Sequence, residues 1–241
     1  MEAIIAQNIT KSFRSGQGSK TRITKVLKGI SITINLGEMV SIVGSSGSGK
    51  STLLYCLSGL EAADSGSIKI MGKQLVHTDR NSLFRIRRDH IGFIFQSYNL
   101  IPSLNVFENV SLPARLAGHA INTQQINDVL ASIGLGGRGK DRPTDMSGGE
   151  QQRVAIARTL ADSSDIIFAD EPTGALDTEN GREVLRMLRN IGSNSKRTVV
   201  MVTHNLEAAA LADRVLVLKD GVIIRELTSC TAAQILTAME S

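Results

Sequence analysis

One nine-residue stretch constrains the fold more than any other: Gly44-Ser45-Ser46-Gly47-Ser48-Gly49-Lys50-Ser51-Thr52. It fits G-x-x-x-x-G-K-[ST], a glycine-rich loop that wraps a chain of phosphates. Such a loop needs a strand before it and a helix after it. Glu38 to Val43 alternates and is β-rich, as a buried strand is. Ser51 to Ser58 is apolar at helical spacing and stops at Gly59. Strand, glycine loop and helix therefore follow one another in the order the motif requires.

The residue types follow from the chemistry. Glycines let successive backbone N–H groups turn inward around phosphate, where side chains would block the approach. The helix behind adds the partial positive charge of its N-terminus. Lys50 is placed to reach the β- and γ-phosphates, Ser51 to ligate Mg²⁺ and Thr52 to donate to the α-phosphate. A nucleoside triphosphate is the expected ligand; the loop alone selects neither the nucleotide nor its use.

The chain has 241 residues, enough for one large domain or a core with an attached lobe. Lys and Arg exceed Asp and Glu by 27 − 23 = 4, too small an excess to argue for nucleic acid. A polyphosphate or an anionic membrane surface suits it equally well. Two cysteines give no disulfide framework, which points to a reducing compartment, and Cys56 is expected in the core. Met1 to Ile5 lacks the basic start and apolar run of a signal peptide. No stretch approaches the ~20 apolar residues of a membrane span, so a membrane role has to come through a partner.

Ile4 to Ile9 reads as a first strand, Arg14 to Arg22 as a polar loop, and Val26-Leu27 with Ile30 to Ile34 as further strand. Ser65 to Gly72 reads as a hairpin that completes a small antiparallel sheet beside the phosphate loop. Phe13 stands out because aromatics are only 3% of the chain; stacking on a base and a place in the core are both open. Asn81 to Arg88 is a basic helical segment, and Ile91 to Phe95 a strand running into Gln96. That glutamine either touches Mg²⁺ or the attacking water, or is a plain loop residue.

From Ser97 to Leu160 helical periods replace β alternation. Asn105 to Leu112 and Thr123 to Ile133 read as helices, with Pro102, Pro113 and Gly134 to Gly139 as breaks. Ser147-Gly148-Gly149-Glu150-Gln151 opens a helix predicted from Gln151 to Leu160. Ser147 and Glu150 form a capping box, and the two glycines after the cap leave room for a phosphate on the same N–H groups.

Asp165 to Glu171 is an apolar strand that ends in two carboxylates. Asp170 then lies at the C-terminal edge of the sheet, where open α/β sheets bind ligands. It is expected to hold Mg²⁺ through waters, with Glu171 as the general base for attack on the γ-phosphate. A helix is predicted from Glu179 to Arg189 and a buried strand from Thr198 to Thr203. His204 ends that strand, within reach of a γ-phosphate, whereas His77, His90 and His119 read as structural. Val215 to Leu218 and Val222 to Ile224, around Asp220-Gly221, form a hairpin. Thr231 to Met239 reads as a short amphipathic helix.

Taken together and in order, these motifs resemble the ATP-binding cassette family, specifically the nucleotide-binding subunit of a transporter, over about residues 4 to 227. Ser147-Gly148-Gly149-Glu150-Gln151 resembles the family signature, about twenty residues before a strand ending in Asp-Glu. Gln96 matches the Q-loop, Asp177 the D-loop, His204 the switch histidine and Phe13 the aromatic that stacks on adenine. Tyr is commoner than Phe at that last position, and Gly174 replaces the commoner Ser of the D-loop.

The resemblance implies an α/β fold with a RecA-like parallel-sheet core, the P-loop NTPase type (residues 1–96 and 161–227, including a small antiparallel β subdomain). It also implies an inserted helical subdomain (97–160) and a C-terminal helix (228–241). It implies ATP and Mg²⁺, with Ser51, Gln96 and Asp170 at the metal and Glu171, His204 and Gln96 in catalysis. Nucleotide contacts are implied for Phe13, Gly44 to Thr52, Ser147, Gly148, Gly149, Glu150 and Asp177. The partners implied are a second copy of the chain, as a head-to-tail homodimer around two ATP, and an integral membrane permease subunit. That places the chain at the cytoplasmic face of the cell membrane.

Phe93 to Pro102, Glu150 to Arg158 and Phe168 to Asp177 look like a bacterial group that includes macrolide exporters, lipoprotein-releasing systems and antimicrobial-peptide resistance transporters. In that group closure often drives mechanotransmission in the membrane partner. Two alternatives are a non-transport cassette ATPase and a regulatory ATP-binding module related to cell division. One cassette without a heptad run argues against the first; Glu171 and His204 together argue against the second.

Overall fold

The computed structural model describes residues 1–16, 22–77, 79–162, 164–195 and 197–240. In chain order the elements are β1 (Glu2–Ser15), β2 (Arg22–Asn35), β3 (Met39–Val43), α1 (Lys50–Leu57), β4 (Ser65–Ile70), β5 (Lys73–Gln74), α2 (Arg80–His90) and β6 (Ile91–Ile94). Then come α3 (Val106–Leu116), α4 (Thr123–Ser132), α5 (Gly148–Ala161), β7 (Ile166–Asp170), α6 (Thr178–Ser195) and β8 (Thr198–Val202). The last are α7 (Leu206–Ala209), β9 (Arg214–Lys219), β10 (Val222–Thr228) and α8 (Ala232–Glu240).

Two sheets organise these elements. An antiparallel sheet has the order β2-β1-β4-β5, and a larger one the order β10-β9-β3-β8-β7-β6. In the larger sheet β9, β3, β8, β7 and β6 pair in parallel, and β10 closes the edge antiparallel to β9. The central strand β3 therefore delivers the phosphate loop to the middle of the sheet.

Alternation along each buried strand divides two cores. Val40 and Ile42, Ile166 and Phe168, Val200 and Val202, and Leu216 and Leu218 face α1 and the antiparallel sheet. Met39 and Val43, Ile167 and Ala169, Val199 and Met201 face Leu188 of α6, Ala208 of α7 and Ile235 of α8. Asp170 continues the register of Ile166 and Phe168, so it turns toward α1. A third cluster holds α3, α4 and α5 together through Val106, Val110, Ile126, Leu130, Val154 and Ala157.

Several elements depart from the sequence expectation. β1 and β2 are longer than their hydrophobic runs, because they pair with each other along their whole length. Arg14, Ser15 and Arg22 thus belong to strands, while 17–21 of the expected polar loop lie outside the described residues. Pro113 does not end its helix: α3 runs on to Leu116. Burial of Val106, Asn109, Val110 and Ser111 outweighs the one backbone bond a proline removes. α5 begins three residues early, because Ser147 caps it and draws both glycines into the first turn.

Candidate nucleotide site

The phosphate loop leaves β3 pressed against β9. A Cβ built on Gly44 would lie 2.1 Å from the Leu218 carbonyl, so a side chain there is excluded. Gly47 and Gly49 take φ values of 80° and 102°, the left-handed region that favours glycine. Ser45 and Ser46 are exposed, and the buried Ser48 Oγ has no hydrogen-bond partner among the described residues. Lys50 Nζ donates to the Gly44 and Ser45 carbonyls, each at 3.0 Å, folding back over the loop. Ser51 and Thr52 lie half-buried in the first turn of α1.

Asp170 ends β7 facing α1, 8% exposed. Ser51 Oγ donates to its Oδ1 at 3.0 Å, and the Tyr55 hydroxyl donates to its Oδ2 at 2.6 Å. Burial, together with that bond and the Asp170 charge, pushes the Tyr55 phenol up to about 12. A serine hydroxyl beside a carboxylate is a hard-oxygen donor set that suits Mg²⁺.

The parallel register pairs Asp170 with Val202, so the residues that follow the two strands meet. Glu171 takes φ 47° and its N–H donates to the Val202 carbonyl at 2.9 Å. Its Oε2 lies 2.9 Å from His204 Nδ1, and it accepts from the His204 main-chain N–H at 3.3 Å. Gln96, exposed just beyond β6, reaches the same turn. A Cβ on Gly174 would stand 3.0 Å from its Nε2, so the glycine at this position leaves Gln96 its space.

Ser147 caps α5 by accepting from the Glu150 N–H at 3.3 Å, and its own N–H donates to Glu150 Oε2 at 2.8 Å. That N–H is the main reason the Glu150 carboxyl lies below its ordinary value; its bond to Arg138 adds to this. Gly148 and Gly149 approach Tyr98 and Asn180, where a Cβ would sit 2.7 Å from Tyr98 Oη and 2.5 Å from Asn180 Oδ1. Among the described residues, the hydrogen bonds and nearest neighbours of this turn do not include the phosphate loop. Asp177 caps α6, accepting from the N–H groups of Glu179 and Asn180 at 3.1 and 3.0 Å. Phe13 is 43% exposed near the end of β1, with Lys11 Nζ 5.2 Å from its ring centroid, which removes the core alternative.

Four residues here have no role assigned from sequence, although Gln152 and Arg158 lie in the Glu150 to Arg158 run. Tyr55 sits one turn after Ser51 on α1, a spacing that places both on one face. Gln152 is buried and donates to the Pro172 carbonyl at 2.7 Å. Asn180 accepts from Arg153 at 3.3 Å. The Arg158 guanidinium, whose pKa burial lowers, donates to the carbonyls of Asn99 at 2.8 Å and Tyr98 at 3.2 Å. It thereby fixes two residues with left-handed φ just after Gln96. A groove of about 680 Å³ opens beside them, lined by Leu83, Phe84, Arg87, Phe93, Phe95 and Leu116.

Residues 27–174 match the profile of the ABC transporter family, which is more than half of the chain. The chain belongs to this ABC transporter family. As a cassette it also resembles solved structures: the dimeric ATP-binding cassette MJ0796 in a post-hydrolysis state bound to ADP and Pi superposes with a TM-score of 0.85. That protein is 38% identical, over 94% of this chain and 99% of the other. A further cassette, cbiO1 from Clostridium perfringens, has a TM-score of 0.81 at 24% identity over 98% and 91% of the two chains, a likeness of fold alone.

Among curated relatives, the macrolide export ATP-binding/permease protein MacB of Azoarcus sp. (strain BH72) is 46% identical over 90% of the cassette and 33% of its own length. The probable syringafactin export ATP-binding/permease protein SyfD of Pseudomonas syringae pv. tomato is 44% identical over 95% and 34%. The cassette spans about a third of the length of the curated relatives it matches. Among the described residues no helix is long and apolar enough to cross a membrane.

Proposed function

We propose that this cassette is the ATP-binding and ATP-hydrolysing subunit of a bacterial transport system. It pairs with a second copy of itself around two ATP and drives an integral membrane permease from the cytoplasmic face of the membrane. The observation that carries the reading is the Glu171–His204 pair standing beside the Ser51–Asp170 pair at the ends of adjacent parallel strands. Those are the groups that phosphoryl transfer to water requires: a charge clamp and a base.

In this reading Gly44 to Thr52 hold the phosphates, and Lys50 leaves its resting carbonyls for the β- and γ-phosphates. Ser51 and Asp170, with Gln96 beside the same turn, would hold Mg²⁺, which when bound neutralises phosphate charge. Phe13 stacks on adenine through its exposed ring. Glu171 orients water and takes its proton, and His204 steadies that carboxylate and hydrogen-bonds the γ-phosphate. The base lies within hydrogen-bond reach of its orienting group, as general-base catalysis requires.

The second copy supplies the other wall. Ser147, Gly148, Gly149 and Glu150 form a capped helix start that offers N–H groups to an anion from outside the subunit, and Asp177 lies at the same interface. The dimeric MJ0796 cassette with ADP and Pi supports this. The groove beside Gln96 receives a segment of the permease; exposed Phe84 and Leu116 and the export ATP-binding/permease relatives support that. Cargo of the macrolide type is supported by the macrolide-export relatives, while the antimicrobial-peptide and lipoprotein types rest on the sequence resemblance alone.

The test is size-exclusion mass analysis of Glu171→Gln with and without Mg-free ATP. A monomer that dimerises only with ATP is expected. A dimer regardless of ATP would overturn the proposed interface.

A further inference from the structure

We propose that Tyr55 is a positioning residue that orients the Asp170 carboxylate for the Mg²⁺ accompanying the nucleotide. The inference rests on the function proposed above.

Asp170 is a nearly buried carboxylate with one side-chain donor on each oxygen: Ser51 on Oδ1 at 3.0 Å and Tyr55 on Oδ2 at 2.6 Å. A buried carboxylate that loses a donor pays for its desolvation, so both bonds matter to its orientation. Ser51 is also the hydroxyl that would ligate the metal. Ligation would use a lone pair of the Ser51 oxygen and leave its O–H free to keep donating to Oδ1. Tyr55 is the other recorded side-chain donor to Asp170 among the described residues, and by holding Oδ2 it fixes the carboxylate rotation that keeps Oδ1 on the Ser51 and metal side.

The Tyr55 ring is held for this. It packs on Phe93 at 6.0 Å between centroids, and Phe93 packs in turn on Phe168 at 6.2 Å and Phe95 at 4.1 Å. Phe168 lies two residues before Asp170 on the same face of β7, so ring and carboxylate are anchored to one strand. Phe93 also lines the groove, which places this aromatic contact between the groove and the metal carboxylate. A competing account is that a half-buried phenol merely needs an acceptor. On that account loss of the hydroxyl costs stability and leaves the metal's contribution to nucleotide binding untouched.

Calorimetric titration of the full chain with ADP, once with Mg²⁺ and once in EDTA, separates the two. Tyr55→Phe keeps the ring and its packing, and circular dichroism checks the fold. The expected result is Mg-ADP binding weakened on the order of tenfold, the scale of one hydrogen bond to a charged group. Binding in EDTA stays within about twofold, and the Mg²⁺ midpoint at fixed ADP moves upward by the same factor as the Mg-ADP affinity. Equal weakening in both conditions, or none, overturns the proposal. A wild type that binds ADP equally with Mg²⁺ and in EDTA removes the metal site itself. A wild type that distinguishes them, with a variant that matches it, removes only the role of Tyr55.

Discussion

His204 Nδ1 lies 2.9 Å from Glu171 Oε2, and the His204 main-chain N–H points at the same oxygen from 3.3 Å. The pair exists because β7 and β8 are parallel and in register, which brings the residue after Asp170 to the residues after Val202. Glu171 holds left-handed backbone to make the contact. Glu171→Gln is expected to cut ATP hydrolysis by ~10²–10⁴-fold while ATP stays bound. A phosphate-release assay alongside nucleotide binding checks both, and an unchanged rate removes Glu171 as the base.

His204→Ala should reduce the rate by at least ~10² and leave ATP affinity within a few-fold, because on the proposed function the histidine orients the base and adds only one of many contacts to the phosphates. Single-turnover kinetics reads the chemical step directly. Lost ATP binding with normal turnover of what remains would assign His204 to binding alone.

Lys50 Nζ rests on two carbonyls of its own loop, and on the proposed function phosphate oxygens replace them. Lys50→Ala is expected to abolish tight ATP binding by calorimetry. Retained affinity and turnover would count against Gly44 to Thr52 as the nucleotide site.

Ser147→Arg puts a large cation on the exposed start of α5. It should block ATP-dependent dimerisation while single-subunit ATP binding survives, as light scattering and calorimetry would show. If both are lost together, the turn is structural.

The Glu150 carboxyl titrates below the ordinary glutamate value of 4.5, chiefly because it accepts from the Ser147 N–H. A depressed folded-state value means that its stabilisation is present above the unfolded value and lost as pH falls through the folded one. Melting temperature measured from neutral pH into that acid range should fall less steeply for Glu150→Gln than for wild type. Parallel curves would show that the capping box carries no charge-dependent stability.

The strand, loop and helix around Gly44 to Thr52 were legible because chemistry and periodicity point to the same residues. So was β7, whose apolar run ends in charge at Asp170. Pro113 misled, because a local rule about proline was overridden by burial of Val106 and Val110 against α5. The start of α5 was misplaced because glycines read as non-helical unless the Ser147 cap is allowed to hold them. Tyr55 was invisible for another reason: its partner lies 115 residues away, and only the sheet register brings them together. Gln152 and Arg158 were hidden alike, since each donates to a carbonyl of a distant turn, and Asn180 because its donor Arg153 comes from another helix.

The close approach of Gly149 to Asn180 bears on how loss-of-function alleles are to be interpreted. Any side chain at 149 collides with a neighbour inside the same subunit, and such overpacking costs ~1–3 kcal/mol before a second copy is met. A genetic screen that scores lost transport will recover changes at 149 for misplacing α6 as readily as for a failed partner contact. Alleles at 147 remove the Ser147 cap on α5 as well, at a cost of about 0.5–2 kcal/mol, so they report on pairing only when the fold is shown to be intact.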